Sequence, residues 1–173
     1  LLAAALGNAC DSSKAGASWY VTAPPGPQFL EFAHVLGDLG IWRQTLVWMK
    51  NSLVLGHSDF HYRHEAILYG WKPGAAHHGP CERTNDTIWE FDRPPRSDEH
   101  PTMKPVALIA HALRLSSNRG ALVLDPFAGS GSLMAAAHAT GRVCNALELE
   151  PKYCAVILER MEALGLNPQL AEA

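Results

Sequence analysis

Alternating strand and helix signals predict an α/β fold, layered around a largely parallel sheet. Three observations carry that reading. Short β-rich runs alternate with stretches whose apolar residues recur at three-to-four spacing. Fourteen glycines and 12 prolines fall between these runs and punctuate them. Hydrophobic residues make up 47% of the 173 residues and charged residues 18%, which supports a packed core and excludes disorder over the whole length. The length fits one structural domain.

The elements follow in order. Residues 1–9 read as the tail of a helix, and 18–23 (Ser-Trp-Tyr-Val-Thr-Ala) as a short strand stopped by Pro24, Pro25 and Pro27. Residues 28–39 form a helix, with Phe29, Phe32, Ala33, Leu36 and Leu39 on one face. Residues 43–49 are β-rich, 50–64 a polar loop, and 65–71 a strand. Residues 72–100 are mostly loop, with one edge strand at 87–91. Pro105 stands in the first turn of a helix striped by Val106, Ile109 and Leu113. Residues 121–125 read as a strand of the fully buried type. A glycine turn then leads into a helix over 132–140 that Gly141 closes. Residues 142–149 make another strand, and Pro151 opens a last helix carrying Tyr153, Ile157, Met161 and Leu164 on one face.

Lys and Arg number 14 against 17 Asp and Glu, so charge alone does not grip nucleic acid; any DNA contact needs a local patch. No apolar run reaches the ~18 residues of a membrane span. The apolar start at Leu1 has no basic region before it and is not a signal peptide, and the absence of an initiator Met makes the chain read as cut at its N-terminus. Cys10, Cys81, Cys144 and Cys154 form no Cys-x-x-Cys pair and read as reduced core thiols of a cytoplasmic protein.

The chemistry concentrates in Leu122-Val-Leu-Asp125-Pro-Phe-Ala-Gly129-Ser-Gly131-Ser132. A strand ending in an acid, then a glycine turn, then a helix N-terminus lets a ligand approach free N–H groups closely. The next strand ends in Glu148 and Glu150, near the ~20-residue spacing of a carboxylate that accepts from ribose hydroxyls. A dinucleotide fingerprint needs Gly or Ala where Met134 stands, and Asp125 would repel a pyrophosphate, which disfavours a nicotinamide oxidoreductase. A carboxylate suits a cofactor with a cationic end, such as the ammonium and sulfonium of S-adenosylmethionine.

Asp125-Pro-Phe-Ala-Gly-Ser-Gly131 resembles the cofactor motif of the DNA amino-methyltransferases that modify adenine N6 or cytosine N4. His100-Pro-Thr-Met-Lys-Pro105 resembles their second cofactor motif, and Glu148-Leu-Glu-Pro-Lys-Tyr-Cys154 with Arg160-Met-Glu162 their acidic ribose segment and its helix. Trp48-Met-Lys-Asn51, the stretch from His57 to Glu65, and Leu68-Tyr-Gly-Trp71 are similar to the middle segments of the phage-type branch. The order is the permuted, beta-class one. The resemblance implies a Rossmann-like class I methyltransferase sheet with helices on both faces. It also implies a catalytic and target-recognition half over 1–99 and an S-adenosylmethionine-binding half over 100–173. Asp125, Phe127, Gly129 and Gly131 would line the cofactor pocket, Glu148 (or Glu150) would hold the ribose, and Thr102 and Lys104 would face the methionine end. DNA is the implied partner, and transfer to adenine N6 is preferred over cytosine N4.

Such enzymes carry an Asp/Asn/Ser-Pro-Pro-aromatic motif that holds the flipped-out base and accepts its amine hydrogens. Thr22-Ala-Pro-Pro-Gly26 lacks both acceptor and ring, and Asp92-Arg-Pro-Pro-Arg96 has an inserted Arg and no ring. Neither is the motif, so no catalytic residue is assigned. In the permuted order the motif belongs upstream of Leu1, the sheet would lack its strand, and the chain would be inactive alone or a non-catalytic remnant. Residues 72–97 occupy the place of a target-recognition insertion: Lys72, Arg83, Arg93 and Arg96 for phosphates, His77, His78 or Asn85 for base edges, Trp71 and Trp89 for stacking. The same stretch reads equally as an exposed connector, and both tryptophans as core. His57, His61, His64, His77, His78 and Cys81 invite a metal, but their spacing is not that of a zinc site, so none is assigned.

Overall fold

The computed structural model describes residues 1–57, 59–80, 84–94 and 103–169. It divides into two compact units: Leu1–Arg93 with Leu115–Ser117, and Pro94–Arg114 with Asn118–Ala173. In chain order the elements are α1 (Leu2–Ser12), β1 (Ser18–Ala23), α2 (Phe29–Asp38), β2 (Trp42–Val54), β3 (Tyr62–Trp71), β4 (Ile88–Glu90), α3 (Val106–Ser116), β5 (Leu122–Asp125), α4 (Ser132–Thr140), β6 (Val143–Ala146) and α5 (Pro151–Ala163).

The first unit holds a four-stranded sheet in the order β1-β3-β2-β4. Its strands do not run largely in parallel. β3 is antiparallel to both neighbours, from Ser18 opposite Trp71 through Ala23 opposite Ala66, while β2 and β4 are parallel. The reason lies in connection length. Residues 55–61 are too few for a crossover and can only turn the chain back as a hairpin. The same hairpin overturns the polar-loop reading of 50–64. β2 runs on to Val54 and β3 begins at Tyr62, with a register irregularity between Met49 and Val54. Polar composition misled because this arm is exposed on both faces, so its strands show no alternation.

Leu6 and Cys10 of α1, Ala33 and Leu36 of α2, Ala23 and Leu68 of the sheet, and Ile41 just before β2 close one core. Tyr20, Tyr69 and Trp89 gather in a second group with ring centroids 4.8 and 5.8 Å apart, and Ser116 shares a hydrogen bond with the Tyr20 hydroxyl. Trp89 is therefore core. Trp48 is buried too, its Nε1 donating to the Phe91 carbonyl at 2.8 Å.

In the second unit β5 and β6 pair in parallel, Leu122 opposite Val143 through Asp125 opposite Ala146. Val123 and Cys144 pack with α3 and α4, and Ala146 with α4 and α5. Leu122 and Val143 stay 65% and 56% exposed, so β5 is covered on one face among the described residues and is not of the doubly buried type. Ala135, Ala136 and Ala137 let α4 lie close to its neighbours. Gly141 closes α4 in the left-handed region: its N–H bonds the His138 carbonyl and that of Arg142 the Ala137 carbonyl, a Schellman ending.

Candidate functional site

The parallel pair β5–β6 points its carboxyl ends at the glycine turn, the edge where open α/β sheets bind ligands. Asp125 ends β5, and its Oδ1 accepts the Phe127 N–H at 3.0 Å, an Asx turn that starts the reversal. The Leu147 N–H donates to the Asp125 carbonyl at 2.8 Å and the Ala128 N–H to the Leu147 carbonyl at 2.9 Å, stitching the turn to the chain after β6. Glu148 completes the knot. Its Oε2 accepts the Gly129 N–H at 2.6 Å, and its Oε1 accepts those of Leu149 and Glu150, each at 2.9 Å.

Gly131 is the N-cap of α4 with φ +74° and ψ +29°, and no side chain caps the helix start. A Cβ there would stand 3.1 Å from Ile157 Cγ1. Both the left-handed backbone and the close approach of α5 call for glycine. The uncapped first turn of α4 presents its N–H groups and positive dipole end to any ligand in the turn. Phe127, within the turn, is half exposed.

Electrostatics mark the same place. Burial pushes the Asp125 carboxyl above its usual range, the Phe127 N–H pulls it back, and the Glu148 carboxylate adds to the rise. Burial, with Asp125 nearby, lifts the Cys144 thiol to about 11, so this cysteine is an inert thiol in the sheet. Two acids held close at adjacent strand ends favour a ligand that brings positive charge and hydroxyl donors, while the helix end beside them favours a negative group.

The structure thus brings Asp125, Phe127, Gly129, Gly131 and Glu148 to one edge. Lys104 lies in the same unit, next to Met103, whose sulfur is 3.7 Å from Arg160 Nη1; Thr102 lies outside the described residues. Sequence reasoning gave Arg160 no contact of its own. A lone arginine in a helix's last turn carries no spacing signal.

Other expected roles fall away or move. The Lys72 ammonium donates to the Cys10 and Ser13 carbonyls at 2.6 and 2.8 Å, capping the end of α1 rather than reaching outward. Trp71 is stacked by His77 at 3.7 Å. His61 accepts the Gly56 N–H, and no three His, Cys, Asp or Glu side chains among the described residues are grouped to hold a metal. Cys81, Arg83 and Arg96 lie outside the described residues. No helix among the described residues is long and apolar enough to cross a membrane.

Known proteins share sequence and fold with this chain. The N6/N4 DNA methylase family model matches residues 29–159. The chain is 36% identical over 85 residues to the DNA adenine methyltransferase YhdJ of Escherichia coli (strain K12), covering 47% of this chain and 29% of that protein. It is 27% identical over 156 residues to the type II methyltransferase M.HinfI of Haemophilus influenzae, covering 78% of this chain and 44% of that protein. The chain thus spans less than half the length of these relatives. Its fold is similar to that of M1.HpyAVI in complex with SAM, with a TM-score of 0.72 at 22% identity over 86% of this chain and 76% of that one. It is also similar to the cytosine-N4-specific PvuII DNA methyltransferase, with a TM-score of 0.71 at 14% identity over 91% and 67% of the two chains. Motif, fold and family match converge, and the chain belongs to the N6/N4 DNA methylase family.

Proposed function

We propose that this chain holds S-adenosylmethionine for a methyltransferase that modifies an exocyclic amine of DNA, adenine N6 rather than cytosine N4. The observation that carries the reading is the knot of Asp125, the glycine turn and Glu148. Two neighbouring carboxylates, one already pushed up by burial and by the other, are a poor arrangement until a cationic, hydroxyl-bearing ligand arrives. The residues fit that ligand. Gly131 starts α4 with no side chain capping the first N–H groups of the helix.

The cofactor supplies a methyl group on a sulfonium, ready for direct transfer to a nucleophilic nitrogen. This chain's own residues bind and orient. The carboxylate of Asp125 would answer the ammonium, and that of Glu148 a ribose hydroxyl. The N–H groups opening α4 and the Lys104 ammonium would answer the carboxylate, and the Phe127 ring would cover the adenine. Transfer is then largely a matter of holding the methyl in line with the incoming nitrogen.

The adenine preference is supported by the name of YhdJ, an adenine methyltransferase. The chain's two Pro-Pro pairs do not make a catalytic motif. Thr22-Ala-Pro-Pro-Gly26 offers a buried Ala23 at the end of β1, and Pro95 and Arg96 of the second lie outside the described residues. The chain alone would bind cofactor without methylating.

Calorimetry with S-adenosylmethionine and with NAD tests the first half. Binding of the former alone is expected, and binding of NAD alone would refute it. Radiolabelled methyl transfer to DNA tests the second half. The chain by itself is expected to give none, and the chain joined to a segment bearing the Pro-Pro-aromatic motif is expected to label adenine. Failure of the extended protein to label DNA would overturn the assignment.

A further inference from the structure

Four peptide groups of the glycine turn are held by named partners, one of them through the Ala128 N–H and the Leu147 carbonyl. The Phe127 N–H is taken by Asp125 and the Gly129 N–H by Glu148. The peptide joining Ser130 to Gly131 is held at both ends. Its N–H donates to the Ala128 carbonyl at 2.8 Å, and its carbonyl accepts Arg160 Nη1 at 3.0 Å. That last contact comes from α5 rather than from the strands. The same nitrogen lies 3.3 Å from Ser132 Oγ, 3.5 Å from Ser130 Oγ and 3.7 Å from Met103 Sδ.

These partners are uncharged, and Ser130 and Ser132 are buried. A guanidinium drawn out of water to meet a carbonyl, hydroxyls and a thioether recovers less than one facing a carboxylate. What it secures here is geometry. With the Ser130 carbonyl bonded to Arg160 and the Gly131 N–H to the Ala128 carbonyl, the peptide that leads into the left-handed Gly131 is held at both ends. Through Met103 the same group reaches the segment that carries Lys104.

We propose that Arg160 is a positioning residue: without touching the cofactor, it locks the glycine turn and the 103–105 segment in the shape that binds it. This rests on the S-adenosylmethionine reading above, and the experiment separates the two. R160Q and R160K would be compared with the unaltered chain by calorimetric titration with S-adenosylmethionine and by NMR-detected hydrogen exchange without ligand. R160Q should weaken binding about tenfold or more, since a hydrogen bond from a charged donor is lost. R160K keeps a cationic donor and should fall between. Without ligand, the Gly131 amide should exchange about tenfold faster in R160Q while that of Ile157 in α5 is unchanged, a local loosening that general destabilisation would not give.

Affinity within about twofold of the unaltered chain, or R160K no better than R160Q, would overturn the proposal. If the unaltered chain does not bind S-adenosylmethionine, the functional reading fails, and the Gly131 exchange rates still decide the role of Arg160. If R160Q does not fold, R160K decides: weaker binding with faster Gly131 exchange supports the lock, and no change in either refutes it.

Discussion

Replacing Gly131 with alanine tests the turn at its tightest point. Two terms add. A non-glycine residue at φ +74° carries a left-handed penalty of about 1–2 kcal/mol. The new methyl would stand 3.1 Å from Ile157 Cγ1 and 3.5 Å from its Cγ2, and crowding a packed contact of this kind costs about 1–3 kcal/mol. Together G131A should lose about 2–5 kcal/mol, a large part of a typical domain's stability, with Tm lowered by roughly 4–20 °C. Urea unfolding followed by circular dichroism reads the total. The I157A background then separates the terms. Removing both offending carbons makes room for the methyl, so the double variant should lose about 1–3 kcal/mol less than the sum of the singles, leaving the backbone penalty alone. A G131A chain as stable as the parent would show that the left-handed geometry is not required. Strict additivity would show that Ile157 is not what the methyl meets.

Other expectations follow from named contacts. In E148Q a single amide oxygen must replace two carboxylate oxygens that accept three N–H groups, so an NH2 faces a backbone donor; a loss of about 1–3 kcal/mol in chemical denaturation is expected, and a neutral change would deny the clamp. K72M leaves the last carbonyls of α1 without their cation and should lose about 1–2 kcal/mol by the same assay, with the helix end exchanging amide protons faster. Lys50 and Glu65 form an ion pair at 2.8 Å, with Lys50 only 7% exposed and lying over the Trp48 ring. K50M or E65L alone should each cost about 3–5 kcal/mol, and the double variant clearly less than their sum; additivity would mean that the pair is not coupled. D125N keeps the acceptor for Phe127 and removes a charge that burial disfavours, so it should stabilise the ligand-free chain at pH 7 while weakening cofactor binding. Asp125 has a folded pKa above its unfolded one. Its contribution is therefore full below the unfolded value of about 3.9 and is lost as pH rises through the raised folded value. The stability gap between D125N and the parent should narrow on acidification through that range, and a gap that widens would refute the burial argument.

How much of this was legible in the sequence depends on where the signal was local. The Pro24–Pro27 stop, the stripe of α2, Gly141 and Pro151 each act within a turn of chain, and β1, α2, α4 and α5 fall where those residues place them. The strand–acid–glycine–helix segment was legible for the same reason: a turn that brings a helix end to a strand end needs glycine whatever surrounds it. The arm of β2 and β3 was not, because polar residues in a two-sided exposed hairpin alternate with nothing. Strand direction was not, because it depends on how short a connection is rather than on what it contains. The roles of Lys72 and Arg160 were hidden furthest. Each is a cation whose acceptors, the carbonyls of Cys10, Ser13 and Ser130, come from chain 30 to 62 residues away, and a carbonyl leaves no trace in sequence.

The candidate site is stabilised and strained by the same residues, which bears on how it works. Glu148 is fastened by three backbone N–H groups, so its charge cannot move away from Asp125 without undoing the turn. Asp125 in turn ends the strand that α4 must follow. The repulsion between them is therefore built into the ligand-free fold, and the ligand that relieves it is selected by sign: a cation or a hydroxyl donor gains what an anion at the same place would lose. At the neighbouring helix start the selection reverses, because the first N–H groups of α4 have no side-chain cap and carry the positive end of the helix dipole. A molecule carrying an ammonium and vicinal hydroxyls together with a carboxylate meets both demands at once, whereas a dinucleotide brings its pyrophosphate to the acids. The proposed preference for an adenosyl amino acid thus rests on the order of charges along one turn of chain.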